Sequence, residues 1–425
     1  MLKWRISVIA EMPFFDRVSR RIVRSQRTCM SDIGVVEPSS KGAVFLSSED
    51  MVWLERITYG PTGATLTRYR ELGRQAFLAE QLQGADGGLP ASVQTAIGTM
   101  DISQLDLPAL QQQRNEALAQ ARALPDDMAR AQAQREIRQR GARLTNQARQ
   151  RNLLRAVHSP AQLREQMVWF WLNHFSVYSD NSWFVADYGE RAIRPHVLGR
   201  FRDLVLATLR HPAMLAYLNN NQNQKGRINE NYARELMELH TLGVDAGYTQ
   251  QDVQALARIL TGVGIDTGRP MKLGDKLAAQ VVQDQGFLFD PRRHDGGDKE
   301  FLGQAIAGGG FDEVERAVDI ILAHPACAGF IARRLVHYFA GEHPSGALVD
   351  AVAKRWRDTH GDIAAALDTL FNAPDFVAEP GRRFKDPYRF VVSAVRLAYD
   401  GQPVADPARL VAWVQRMGYS QFDRI

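Results

Sequence analysis

Apolar residues recur at helical spacing through most of the chain, and this periodicity is what most restricts the fold. Val314, Ala317, Val318, Ile321 and Leu322 stand at i, i+3, i+4, i+7 and i+8, and Phe390, Val391, Ala394, Val395 and Ala398 follow a similar course. Such spacing aligns one apolar stripe on an α-helix. Strand-like alternation is scarce, with only Val281-Val282 and Phe287 to Phe289 reading as a small hairpin. The expected fold is mainly α, a multi-helix globular domain with at most a small β-hairpin. With 425 residues, 45% of them hydrophobic, the chain can bury a large core without disulfides or metal staples.

Its two cysteines, Cys29 and Cys327, belong to no CxxC or Cys/His cluster. That excludes a disulfide framework and a zinc knuckle. The uncharged run at 166–179 has 14 residues, short of the roughly 20 apolar residues that span a bilayer. No transmembrane segment is expected.

The net charge of +4 and pI near 9.0 point at first to an anionic partner. Location changes that reading. Residues 1–30 hold seven Lys/Arg and two Asp/Glu, and residues 111–160 hold ten Arg and four Asp/Glu. The remainder of the chain is therefore acidic. Residues 1–50 read as a basic N-terminal extension, expected to be poorly ordered, and 51–425 as a single large helical domain. Ser19-Arg20-Arg21 resembles the opening of a twin-arginine signal, but no apolar stretch follows, so a cytoplasmic location is expected.

From Asp50, Met51, Leu54 and Ile57 recur at three-residue spacing until Tyr59-Gly60-Pro61-Thr62 breaks the run. Thr65 is placed to cap the next helix, which runs through Arg68, Leu72 and Phe77. Residues 110–155 form an Arg/Gln-rich helical insertion, split by Pro125-Asp126-Asp127 into two long, solvated helices. The insertion has no aromatic residues for stacking bases, so no nucleic-acid partner is expected.

Several common chemistries are absent. There is no GxxxxGK[ST], HExxH, GxSxG or kinase signature, and Gly262-Val263-Gly264 has Thr267 where a dinucleotide fingerprint needs its third glycine.

Three stretches combine polar residues with apolar surroundings. In the first, Asn173 and His174 sit in the aromatic block 167–178. In the second, Gly243 suits the left-handed position after one helix, and Thr249 with Asp252 forms a capping box for the next. At 100° per residue, Asn231, Arg234, Glu235 and Glu238 form one polar stripe, with His240 opposite. Two carboxylates beside an arginine suit a hard cation or acid/base work. A solvated face with an Arg234–Glu238 pair, worth a few tenths of a kcal/mol, is the competing reading. In the third, His294-Asp295-Gly296-Gly297-Asp298-Lys299 reads as a loop, suited to a metal or phosphate. An Asx turn leading into a helix is its structural alternative.

Together these stretches resemble an uncharacterised bacterial family, domain of unknown function 1800. The resemblance runs from about Val52 to the C-terminus. It rests on Arg56-Ile57-Thr58-Tyr59-Gly60-Pro61-Thr62, Trp171-Leu172-Asn173-His174-Phe175, the stretch from Asn229 to Val244, Tyr248-Thr249 with Asp252-Val253, Leu260-Thr261-Gly262, and His294-Asp295 with Gly297, Lys299, Leu302 and Gly303. It implies that the polar stripe and the His-Asp loop belong to the family's pattern. It also implies a partner protein or envelope association, and relatives that continue beyond Ile425, so that the final helices are expected to be missing here.

The resulting expectation is one pocket gathering His174, Asn231, Arg234, Glu235, Glu238, His294 and Asp295. His174, Glu235, Glu238 and His294 would be the catalytic candidates, and Asn231, Arg234 and Asp295 the ligand-binding ones. Glu235, Glu238, His294 and Asp295 would hold a divalent metal. Such a pocket would bind that metal or a small anionic ligand, with hydrolysis as its chemistry. The rival is a non-enzymatic assembly or secretion accessory, a scaffold that presents a surface to a partner.

Overall fold

Ser47 opens helix α1 (Ser48–Ile57) through a capping box with Asp50, so that the helix begins three residues before the expected domain start at 51. The structure is a computed structural model that describes residues 46–85, 87–178, 182–268, 270–378, 384–419 and 421–422. The basic extension, its twin-arginine pair and Cys29 lie outside the described residues, apart from the segment 46–50.

The described residues are 66% helical, with only short antiparallel strands among them. Helix α2 (Gly63–Gln83) is capped by Thr62, which accepts from the Thr65 amide at 3.3 Å, rather than by Thr65 itself. The Arg/Gln-rich stretch forms α3 (Leu107–Ala123) and α4 (Asp127–His158), capped by Asp106 and Asp126. The expectation that both are solvated fails for the second half of α4. There Leu144, Ala148, Leu153, Leu154 and Val157 are buried, with Arg151 and Asn152 among them.

The aromatic block forms α5 (Gln162–His174). Helix α6 (Asn231–Glu235) continues as a π-helical turn, Leu236–Thr241, and α7 (Gln250–Ile259) follows with the expected Thr249–Asp252 capping box. Gly243 takes φ 89° between them. Further along are α8 (Asp312–Ala323), α9 (Pro325–Ala340), α10 (Pro387–Tyr399) and α11 (Pro407–Arg416). Val314, Ala317, Val318 and Ile321 all face the core, as their spacing requires. On α10 the buried stripe is Tyr388, Val391, Val392 and Val395, and Phe390 is 38% exposed.

The expected hairpin is present as β2 (Val282–Asp284) and β3 (Phe287–Phe289), but β3 also pairs with β1 (Val263–Ile265), giving the order β1-β3-β2. A second hairpin, β4 (Lys299–Phe301) with β5 (Gln304–Ile306), follows the His-Asp loop where a helix was the alternative.

Trp53, Leu54 and Ile57 anchor a core cluster that reaches Phe422. Burying each such side chain contributes about 1.5–3 kcal/mol. A second cluster packs Tyr59, Leu153 and Trp169 against Tyr388, Val395 and Val414. Arg396, 4% exposed, ties this cluster together by donating to the carbonyls of Gly60 and Val157. No helix among the described residues is long and apolar enough to cross a membrane.

Candidate functional site

The seven expected residues separate into three local environments. His174 is buried at the end of α5 and donates from Nε2 to the His240 carbonyl at 2.9 Å. Burial, with Arg334 and His240 close by, holds its pKa well below the usual value. Burial and Arg334 likewise push His240 down to about 3. Both rings pack among aromatics, His174 against Trp171 and Phe175, and His240 against Phe175. Their Nδ1 atoms find no hydrogen-bond partner among the described residues.

The polar stripe lies on α6 and the π-turn, which carries His240 inward while Glu235 and Glu238 stay partly exposed. Burial first and Glu238 second raise the Glu235 pKa, against the opposing pull of Arg234. The Arg234–Glu238 pair of the competing reading does not form. Arg234 instead bonds Glu230 at 3.1 Å and Gln250 at 2.8 Å, because Glu230 sits one turn earlier beside the start of α7. Asn231 donates to the Leu218 carbonyl.

His294 and Asp295 form a third group. His294 sets Nδ1 2.8 Å from the Thr261 carbonyl and Nε2 3.0 Å from Glu313 Oε1. Lys299, whose side chain is fully buried, reaches Glu313 Oε2 and the Asp295 carbonyl. Arg258 bonds Asp295 at 2.8 Å and holds its carboxyl below the usual range. Gly262 allows this approach: a Cβ there would lie 2.7 Å from the Asp290 carbonyl oxygen. Glu313 is thus satisfied by His294, Lys299 and the Gly309 amide, the arrangement a buried carboxylate needs.

The structure therefore brings Glu235 to Glu238 and His294 to Asp295, but records no hydrogen bond or ion pair between these pairs or from either to His174. Among the described residues, no group of three or more His, Cys, Asp or Glu is placed to hold a metal ion.

A concave site does occur beside α5, and of the residues singled out in the sequence it includes Asn173. It has a volume of about 530 Å³ and lies between α5, α9 and the start of α10. Arg333, Arg334 and His337 come from α9, and Arg389 from α10. Neither Arg333 nor Arg334 has an ion-pair partner among the described residues; Arg334 lies over the Phe330 ring at 5.5 Å. Arg389 sits 4.3 Å from the Tyr338 ring centroid and donates to the Tyr338 carbonyl.

Asp386 caps α10 and accepts from Trp169 Nε1 at 3.2 Å. Burial nonetheless raises its carboxyl above the usual range. Tyr419 closes the rim by donating to Asn173 at 2.7 Å. The available signal was Arg333-Arg334 followed by His337-Tyr338, a spacing that puts cations and an aromatic on one helix face.

No curated protein and no solved structure matches the chain. The sequence profile of the family described as protein of unknown function (DUF1800) matches residues 52–424, and the chain belongs to that family.

Proposed function

We propose that the protein binds a small anionic ligand in the cleft between α5, α9 and α10. The observation that carries this reading is the pair Arg333 and Arg334, which line the cleft and have no carboxylate partner among the described residues. Guanidinium groups recognise carboxylate and phosphate through paired N–H donors, and an aromatic wall lowers the local dielectric around them. Arg389 adds a third cation already fixed by Tyr338, so less of its freedom is lost on binding.

Thermal unfolding in phosphate, sulfate and citrate, at ionic strength held constant with sodium chloride, tests it. The wild type gains stability with concentration, about 2.7 kcal/mol at a hundred times the dissociation constant. Arg333→Gln/Arg334→Gln loses that gain. Equal gains in both proteins overturn the reading.

A second reading, a scaffold that presents a surface to a partner protein, is favoured by one observation. Leu239 and Val244, in the stretch shared with the family, are 47% and 65% exposed. Leu239→Asp/Val244→Asp that leaves the set of co-purifying proteins unchanged would remove it.

A further inference from the structure

We propose that the ligand of this cleft is a polyhydroxylated anion, a sugar bearing a carboxylate or a phosphate; this rests on the anion reading above. The cleft does not end at its rim. A second cavity of about 490 Å³ shares Gly341 and Glu342 with it and continues past the end of α9. The two differ in charge. The first sets Arg333, Arg334 and Arg389 against Asp386 and Glu342. The second sets Arg56 against Glu342 and Asp375 and adds His343 and Ser345. A ligand that fills both carries its negative charge at one end and uncharged hydrogen-bonding groups at the other.

The acceptors suit hydroxyl groups. Glu342 is exposed on the boundary between the cavities and has no partner among the described residues. Asp375 accepts from Ser345 at one oxygen, at 2.8 Å, and from no other side chain among the described residues. Carboxylates accept hydrogen bonds and reject further anions, so hydroxyls fit here and a second phosphate does not.

The aromatic walls point the same way. Trp169, the largest ring, is stacked on Tyr388 at 3.9 Å and 11°, and is 3% exposed. Phe170 is covered edge-on by Tyr338. Neither of these closed pairs leaves a slot for a nucleobase between its rings. What remains accessible is Tyr419, partly exposed, and Phe384, 69% exposed. These offer apolar surface to the C–H face of a pyranose, and the Tyr419 hydroxyl, which donates to Asn173, keeps its acceptor capacity at the sugar's edge.

Isothermal titration calorimetry on the full chain, with glucose 6-phosphate, glucuronate, glucose, inorganic phosphate and ATP as probes, tests this. One or both sugar anions bind at least tenfold tighter than glucose or inorganic phosphate, and which one does so identifies the anionic group. Arg334→Gln weakens the sugar anion tenfold or more. Glu342→Gln, on the hydroxyl side, removes several-fold of the advantage over the bare anion and leaves phosphate binding unchanged. Circular dichroism confirms that both variants fold.

Inorganic phosphate binding as tightly as the sugar anions, and still sensitive to Arg334→Gln, overturns the sugar assignment while the anion reading stands. ATP binding more tightly than either sugar anion also overturns it. No binding of any anion, by wild type or variant, overturns both.

Discussion

Arg194 clasps Glu165 through two parallel hydrogen bonds, Nη1 to Oε1 at 2.8 Å and Nη2 to Oε2 at 2.9 Å, with side chains only 4% and 3% exposed. The pair joins α5 to the segment that follows residue 193, and so fixes the helix that forms the cleft floor. Removing one partner of a buried pair leaves an uncompensated charge, which costs about 3–5 kcal/mol. Glu165→Gln is expected to lose up to that much in urea unfolding, the loss being tempered because Arg194 keeps Glu190 at 3.3 Å. Glu80→Gln, which breaks the Arg68–Glu80 pair where both side chains are well exposed, is expected to lose less than about 1 kcal/mol. Equal losses would show that burial does not set the difference.

The buried histidines make stability depend on acid. His240, with a pKa of about 3, and His174, also depressed, bind fewer protons folded than unfolded below the ordinary histidine value of 6.5. Stability therefore rises with pH in that window and falls as pH drops from 6.5 towards 3. Each histidine contributes a slope of about 1.4 kcal/mol per pH unit once well below 6.5. Urea unfolding at pH 6.0, 5.5 and 5.0 should show the loss, and His240→Phe should make the slope shallower. An unchanged slope would mean that His240 is not the buried neutral group.

The helices were legible in the sequence where their causes are local. The Thr249–Asp252 box and the Asp126 cap need only neighbours within three residues, and the Val314–Ile321 stripe needs only one helix period. Strand β1 was not legible, because Val263 acquires its strand character from Phe289, far along the chain. The stripe on α6 was half legible. A 100° wheel placed His240 opposite the glutamates, but the π-turn that begins at Leu236 and the competing partner Glu230 lie outside what a uniform helix can express. The cleft gathers residues 169–173, 333–342, 384–389 and 419, and no spacing within one segment announces that convergence.

Gly262 takes φ 81° beside the His294 loop. A non-glycine residue in that region costs about 1–2 kcal/mol from backbone sterics alone. Here the added Cβ would also meet the Asp290 carbonyl oxygen at 2.7 Å and His294 Cβ at 3.1 Å. The carbonyl cannot step aside freely, because the Asp290 amide is itself bonded to the Gly262 carbonyl at 2.9 Å. Gly262→Ala is expected to destabilise by more than the backbone cost, read as a lowered midpoint of thermal unfolding. A variant as stable as wild type would show that the loop yields.

Metal content separates the two chemistries that the sequence left open. A divalent cation held by Glu235, Glu238, His294 and Asp295 needs their oxygens and imidazole within about 2.6 Å of one point. His294 has both ring nitrogens committed, to Thr261 and Glu313, and Asp295 is neutralised by Arg258. Glu235 and Glu238 together supply two carboxylates, and burial first and their mutual repulsion second raise the Glu235 pKa. Elemental analysis of purified wild type, Glu235→Ala and His294→Ala is therefore expected to give equal metal content, and His294→Ala alone a clear loss of stability, since it strips Glu313 of one of its two side-chain partners. A stoichiometric metal in the wild type that both variants lose would reverse this, and would place the cation between the polar stripe and the His-Asp loop.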